Sequence, residues 1–377
     1  MSLDWAAEVS PFIFDGPLAA DAVVGRQQEA DVLRAWARAG RFVSLYAPRR
    51  FGKTSLLRKV AKEAGDQDAM PVVIVDLYGA LSMADIVIRL ERAYRDHATG
   101  KFRQLVSNAL QGGQLGLSLA GTGFSVQMAR QPRTDPLPAL HALLELPADI
   151  QRRADGMRVL IVFDEFQSVL AVDGAEALLR SHIQHQREFA SYIFCGSEPG
   201  LLHALFSDKT RPFYSQVESK RLGRLPGVAV AATIDAGFDE TGRSAGDLIP
   251  PLVNAAEGHP QRAMLLAHCL WTATAPGETA DEAMWNTAVD MARRRTAREF
   301  EIHWDGLSPN QRRVLRALVR FGSPYKKDAH AALQLARGTA QQVVDQLLRT
   351  GELERDDDAG LRVVDPLLRM WIDERFP

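Results

Sequence analysis

Four short apolar runs punctuate the first half of the chain: Phe42-Val43-Ser44-Leu45-Tyr46, Pro71-Val72-Val73-Ile74-Val75-Asp76, Val159-Leu160-Ile161-Val162-Phe163-Asp164 and Ser191-Tyr192-Ile193-Phe194-Cys195. Runs this continuously apolar suit parallel strands covered on both faces. Helical periodicity lies around them. Leu33, Trp36 and Ala37 mark a helix before the first run, Ile86, Ile88, Leu90 and Tyr94 one from about Met83 to His97, and a helical region follows Glu165 to about Glu188. The alternation predicts an α/β fold, a doubly wound parallel sheet with ligands at the C-terminal ends of its strands. Between the second and third runs, Leu115, Leu117 and Leu119 alternate with small or polar residues, then Gly121-Thr122-Gly123, then Phe124, Val126 and Met128. Period two around a glycine-rich turn predicts a β-hairpin insertion near 113–128. Its apolar face is expected to pack on its own domain, ahead of a subunit contact.

From about Pro226 the pattern turns all-helical, with breaks at Gly242, Pro250-Pro251 and Gly258-His259-Pro260 and a long helix from Ala280 to His303. From Leu307 it changes again. Helices over Gln311 to Val319, Lys327 to Leu335 and Gly338 to Leu348 precede two short strands, Leu353-Glu354-Arg355 and Leu361-Arg362-Val363, bracketing the turn Asp356-Asp357-Asp358-Ala359-Gly360. Three helices and a hairpin predict a winged helix. The expected domains are a core over 1–225, a helical lid over 226–305 and a winged helix over 306–377.

Length and charge narrow the class. A chain of 377 residues suits two or three domains, and its net charge of −2 gives no global field toward nucleic acid or anionic lipid. The opening Met1-Ser2-Leu3-Asp4-Trp5 lacks a basic n-region, and no run approaches membrane-spanning length, so a cytoplasmic protein with no membrane partner is expected. Cys195 and Cys269 read as buried free thiols, and His182 and His185 as solvent-facing. The cluster Arg293-Arg294-Arg295 with Arg298 reads as a solvated helix face. Leu307 to Pro377 carries twelve Lys/Arg against ten Asp/Glu, and its third helix offers Gln341, Gln342 and Gln346 with few cations. Duplex DNA binding through this module is therefore thinly supplied, and protein or intramolecular docking is favoured.

The candidate chemistry sits after the first run. Ala47-Pro48-Arg49-Arg50-Phe51-Gly52-Lys53-Thr54-Ser55 joins a strand to a helix, as a phosphate-binding loop does. Backbone N–H groups of such a loop wrap the β-phosphate, Lys53 reaches β/γ oxygens, Thr54 ligates Mg²⁺, and Gly52 leaves room for close backbone approach. Ala47 stands where the first glycine of the pattern is expected. The third run ends in Asp164-Glu165. Asp164 is a candidate Mg²⁺ ligand and Glu165 the base that orients and deprotonates water. The fourth run ends at Gly196-Ser197, where Ser197 is a candidate γ-phosphate or water contact and equally a cap for the next helix.

Together, Val24-Gly25-Arg26-Gln27-Gln28-Glu29, the loop through Leu56, Asp164-Glu165-Phe166-Gln167, Cys195-Gly196-Ser197, Phe213-Tyr214, Gly258-His259-Pro260 and the terminal Asp365-Pro366-Leu367-Leu368-Arg369-Met370-Trp371 resemble the archaeal-type P-loop ATPases. These are AAA+-related, STAND-like proteins of the ASCE type with a winged helix after the lid. The resemblance implies ATP or ADP with Mg²⁺ as ligands. It implies Gly25 and Arg26 near adenine, His259 and Pro260 near the phosphates or adenine, and Arg262 as a lid arginine. Many relatives carry Gly-Arg after the tyrosine matching Tyr214, whereas this chain has Ser215-Gln216. An arginine finger would then fall to Arg211, Arg221 or Arg224. The leading reading is a Mg²⁺-dependent ATPase acting as a switch, with a protein partner or self-assembly as its output. The alternatives are a DNA-binding regulator or origin-type loader, and a scaffold that holds ATP without hydrolysing it.

Overall fold

The computed structural model describes residues 9–97, 102–107, 117–120, 123–126, 135–153, 157–334, 336–356 and 360–376. The hairpin tip at Gly121-Thr122 and most of the C-terminal turn, 357–359, lie outside the described residues. The core alternates as the apolar runs predict: α1 (Gln27–Arg38), β1 (Phe42–Tyr46), α2 (Lys53–Asp68), β2 (Val72–Asp76) and α3 (Met83–His97). After β3 (Leu117–Ala120) and β4 (Gly123–Val126) come α4 (Leu137–Arg153), β5 (Val159–Asp164), α5 (Ala175–Ile183), β6 (Ala190–Gly196), α6 (Pro199–Ser207) and β7 (Glu218–Arg221). β3 and β4 pair antiparallel, Leu117 opposite Val126 and Leu119 opposite Phe124, as the period-two pattern requires.

The main sheet is parallel, in the order β2-β5-β6-β1-β7. Strand alternation divides its apolar side chains between two faces. Leu160, Val162, Ile193 and Cys195 join α1 and α2 on one side. Val159, Ile161 and Phe163 join α3 to α6 on the other, where Phe166, Phe194, Phe206 and Phe213 pack with ring centroids 4.6 to 6.1 Å apart. This burial of apolar surface on both faces is the main stabilising term of the core. It also fixes β1, β5 and β6 side by side, so that their C-terminal loops converge.

The lid consists of α7 (Gly227–Glu240), α8 (Ile249–Ala256), α9 (Pro260–Ala273) and α10 (Glu282–Gly306). Pro250 and Pro251 open α8 instead of breaking a helix, at positions where a missing N–H costs nothing. The C-terminal module is α11 (Pro309–Phe321), α12 (Lys327–Leu333), α13 (Arg337–Thr350), the antiparallel pair β8 (Leu353–Asp356) and β9 (Gly360–Val363), and α14 (Pro366–Arg375). Lid and module share one apolar cluster, in which Trp304 of α10 meets Trp371 and Phe376. Phe12 of the N-terminal segment belongs to the same cluster and packs on Phe238 at 5.6 Å. No helix among the described residues is long and apolar enough to cross a membrane.

Core and module touch directly. A side chain at Gly200 of α6 would come within 2.5 Å of Arg349 on α13, so that glycine is what allows the helices to approach. Beside this contact Glu354, almost fully buried, faces three guanidinium groups: Arg221 at 2.7 Å, Arg224 at 2.5 Å and Arg362 at 2.9 Å. Arg224 also donates to the carbonyls of Glu257 and Val364. A carboxylate buried this way is tolerable only because it is fully paired. Cys195 and Cys269 are buried and free. His185 is exposed, whereas His182 is half-buried, with Nε2 2.7 Å from Nδ1 of His141 on α4. That contact comes from a helix distant in sequence, which spacing within α5 does not reveal.

Two stability predictions follow from these burials. Replacing Glu354 with alanine strands the arginines that share it and is expected to cost about 3–5 kcal/mol in urea unfolding; a loss below about 1 kcal/mol would show that the cluster is not a structural tie. His259, 2 % exposed, caps α9 by accepting from the Arg262 N–H, and burial pushes its pKa down to about 3 against the opposing charge of Asp365. In the unfolded chain a histidine takes its proton near 6.5. Stability is therefore undiminished above about pH 6.5 and is lost as pH falls from there toward 3, because only the unfolded state binds the extra proton. His259→Asn keeps a capping oxygen and does not titrate. Between pH 7 and 4.5 it is expected to lose about 2–3 kcal/mol less than the parent; identical losses would contradict this.

Candidate functional site

Where β1 ends, the chain turns through Ala47 to Gly52 and enters α2 at Lys53. Arg50 and Gly52 take left-handed backbone angles, φ 67° and 80°. At Gly52 a Cβ would meet nothing within 4 Å, so the positive φ is what requires glycine there, and the space is the open concavity of the loop. The concavity faces the N-terminus of the sixteen-residue α2, where unsatisfied N–H groups and the helix dipole favour an anion. Lys53 lies across the loop and donates to the carbonyls of Ala47 at 3.0 Å and Pro48 at 2.9 Å. Its burial pushes the ammonium pKa down, while Cys195, Glu165 and Asp164 act in the opposite direction.

Asp164 stands at the end of β5, beside the loop. Thr54 donates its hydroxyl to Asp164 Oδ2 at 3.0 Å, and the Glu165 N–H donates to Oδ1 at 3.0 Å. Burial raises the pKa of Asp164, with the Thr54 hydrogen bond opposing. A hydroxyl and a carboxylate this close are hard oxygen donors of the kind Mg²⁺ takes while keeping waters and phosphate oxygens as its other ligands. Among the described residues no three His, Cys, Asp or Glu side chains form a metal cage, so the donor set suits an ion held jointly with a phosphate. Glu165, in a left-handed conformation with φ 51°, receives the Ser197 hydroxyl at 2.8 Å on Oε2. β5 and β6 are neighbours in the sheet, which is why residues 32 apart in sequence meet.

These groups line a cleft of about 690 Å³ between core and lid. Arg49, Arg50, Gly52, Lys53, Thr54, Ser55, Glu165 and Ser197 face it from the core, and Pro260 from the start of α9. Asp164 lies just beneath, reached through Thr54. Pro48 and His259 instead line a second cleft of about 610 Å³ toward the C-terminal module, with Arg49 and Arg50 shared between the two. Phe51 is fully buried and meets the His259 ring edge-on at 5.0 Å.

Gly25 and Arg26 line neither cleft. Arg26 is buried behind the loop and donates to the carbonyls of Gly223 at 2.7 Å and Phe51 at 3.4 Å. A side chain at Gly25 would come 2.8 Å from Ala229, so this pair packs the junction of core and lid. A wall of the cleft is formed instead by the N-terminal segment. Residues 13–18 run across the cleft, the Leu18 N–H donating to Ser55 Oγ at 3.0 Å and Arg58 to the Pro17 carbonyl at 3.3 Å. Nothing in the short mixed stretch Ile13-Phe14-Asp15-Gly16-Pro17-Leu18 signals this role, which arises from tertiary wrapping. Arg295 was also hidden, inside a cluster that reads as solvated: it lines the cleft, 5.7 Å above the Phe14 ring, while Arg293 pairs with Glu374 at 2.5 Å. Gln261 lines the same wall, and its Oε1 is buried without a protein partner. The three arginines considered for a finger are engaged within the chain, Arg211 with Glu176 at 3.0 Å and Arg221 and Arg224 with Glu354.

Lid, loop and C-terminal module are joined by a line of charges. Arg50 pairs with Glu299 of α10 at 2.5 Å, Glu299 lies 3.6 Å from Arg262, and Arg262 grips Asp365 with Nε at 3.0 and 2.9 Å and Nη2 at 2.5 Å. Asp365 in turn caps α14 by accepting from the Leu367 and Leu368 N–H groups. Burial alone would raise the Asp365 pKa, but the Arg262 guanidinium more than offsets it and holds the carboxyl below its usual range.

No family model and no curated protein matches the sequence. Solved structures do. The Walker-type ATPase of Pyrococcus abyssi superposes with a TM-score of 0.70 at 16% identity, over 96% of this chain and 99% of that one. The ORC2 protein of Aeropyrum pernix in its ADPNP–ADP complexes gives 0.59 at 15% identity, over 97% of each chain. Its ADP form gives 0.54 at 14% identity, over 96% of each. At such identities the likeness speaks for the fold, and it spans all but a few percent of the molecule. Parallel sheet, phosphate-type loop, helical lid and C-terminal module thus give this chain the α/β P-loop fold of these solved ATPase structures.

Proposed function

We propose that the protein is a Mg²⁺-dependent ATPase that works as a switch, its nucleotide state governing how core, lid and C-terminal module are held together. One observation carries the reading: a single cleft gathers Lys53, Thr54, Glu165 and Ser197 from the core with Arg262, Arg295 and Glu299 from the lid. A triphosphate in the loop exchanges the Ala47 and Pro48 carbonyls for its own oxygens as partners of Lys53. The N–H groups at the start of α2 receive the β-phosphate, and the segment 13–18 with α9 walls the base side. Thr54 and Asp164 would hold Mg²⁺, which supplies neutralisation of phosphate charge. Glu165 orients a water and takes its proton, while Ser197 keeps the carboxylate aimed.

The same cleft supports the switch. Arg50 and Arg262 are the cationic members of the charge line that reaches Asp365, and both line the cleft. Phosphate oxygens compete with Glu299 and Asp365 for these guanidiniums, so binding and hydrolysis alter the tie to α14. The C-terminal half of α13 is occupied against α6 in this arrangement, which favours an internal or protein-docking role for the module over grasping a duplex.

Two substitutions test the assignment. Lys53→Ala is expected to abolish measurable ATP binding in a calorimetric titration; unchanged affinity would sink the site. Glu165→Gln should bind ATP like the parent and release phosphate about 10²- to 10⁴-fold more slowly. Parental turnover in that variant would remove Glu165 from the role of base.

A further inference from the structure

Glu165 is not held by Ser197 alone. Its Oε2 accepts three hydrogen bonds: from Gln167 Nε2 at 2.5 Å, Ser197 Oγ at 2.8 Å and the Ser197 N–H at 3.3 Å. No described residue donates to Oε1, and Glu165 lines the cleft. Gln167 is 8 % exposed, in the turn of 3-10 helix Phe166–Ala171 that follows β5. An ionised carboxylate only accepts, so the amide must present its NH₂ to Glu165. That turns Gln167 Oε1 toward Gly196, where it is buried without a partner. A Cβ on Gly196 would overlap that oxygen, and Gly196 is not among the glycines with positive φ. The glycine at the end of β6 thus leaves the space that the Gln167 amide occupies, and its backbone conformation does not itself call for glycine.

A buried amide with one unpartnered oxygen is a costly placement, and simple packing would be better served by an apolar side chain of the same size. We propose that Gln167 is a positioning residue for the hydrolytic step: with Ser197 it anchors Oε2 of Glu165 and leaves Oε1 free to meet the attacking water. The proposal rests on the reading of Glu165 as the base. In that step the water oxygen bonds to the γ-phosphorus as the bond to the β,γ-bridging oxygen breaks and its electron pair leaves with ADP. The water proton passes to Glu165 Oε1. The carboxylate sits on a residue with left-handed φ, and its side chain gains its direction from these three donors. Loss of the amide donor leaves a rotatable side chain that spends less time in line with the water, and a misplacement of about 1 Å costs up to about 10²-fold.

The experiment compares the parent with Gln167→Met, Gly196→Ala, Glu165→Gln and the double variant Glu165→Gln/Gln167→Met, measuring kcat, KM, ATP affinity and the thermal midpoint. Gln167→Met keeps size and removes the donor. It is expected to lower kcat about 10- to 100-fold, with KM and affinity within twofold of the parent. Gly196→Ala, which displaces Gln167 from the other side, should reproduce that split. On the Glu165→Gln background the Met substitution should have no further effect, because Gln167 acts only through the carboxylate. Parental kcat in Gln167→Met overturns the proposal, whatever Gly196→Ala does, and so does an equal fold-loss on both backgrounds, which marks a purely structural role. If Glu165→Gln itself turns over like the parent, the base assignment falls and this inference falls with it. A slow Glu165→Gln beside a normal Gln167→Met removes this inference alone.

Discussion

The arrangement of the molecule depends on one buried guanidinium. Arg262 is 1 % exposed and makes two-pronged contact with Asp365, the residue that caps the last helix. A charge at that depth cannot be left unpaired without a cost of several kcal/mol. Arg262 therefore must always have an anionic neighbour, and the chain gives it two, Asp365 on the C-terminal module and Glu299 of α10 at 3.6 Å; an anion filling the cleft that Arg262 also lines would compete with both. A group obliged to choose between a protein carboxylate and a ligand phosphate is a natural point for coupling binding to shape.

The rest of the structure makes that choice consequential. Lid and C-terminal module share one apolar cluster, which packs α14 against α10 as one body. The core meets this body through polar ties, Arg50 with Glu299 and Arg221 and Arg224 with Glu354, and through a few close packing contacts: Phe51 on the His259 ring, Val364 among the apolar side chains of β1 and α2, and the approach at Gly200. Polar junctions exchange partners at smaller cost than an apolar core loses contacts, since each broken pair can be replaced by another pair or by water. The N-terminal segment spans the boundary as well, with Phe12 in the lid cluster and Leu18 bonded to Ser55 of α2. Any change in core-to-lid angle is therefore felt along the wall of the cleft itself.

Much of this was legible in the chain. The four apolar runs place β1, β2, β5 and β6, three of them strands buried on both faces and β2 an edge strand with one face buried, and α3 spans Met83–His97 as its apolar spacing implies. The loop and the Asp164-Glu165 pair stand out because their chemistry forces residue types at fixed positions. Other parts left no local trace. β7 reads Glu-Ser-Lys-Arg, an edge strand whose partly exposed polar side chains carry no apolar period. The segment 13–18 and Arg295 acquire their places only through tertiary contacts. Gly25 and Arg26 are drawn toward the base by resemblance, yet Arg26 spends its donors on Glu29 and on backbone carbonyls behind the loop. Gln167 was in view as part of Asp-Glu-Phe-Gln, but its partner Gly196 lies on another strand, and only the parallel pairing of β5 with β6 unites them.

The central claim is that occupancy of the cleft by a triphosphate changes how the core sits against the lid and C-terminal body. The most direct test is a pulsed-EPR distance measurement between spin labels at the exposed positions Gln67 in the core and Asp373 in α14. Cys195 and Cys269 are buried and leave engineered surface thiols as the accessible sites. Measured without nucleotide, with Mg·ATP on a hydrolysis-blocked background and with Mg·ADP, the account predicts a shifted distance distribution in the triphosphate state and its reversal with diphosphate. One superimposable distribution in all three states, at nucleotide concentrations shown to saturate binding, would contradict it.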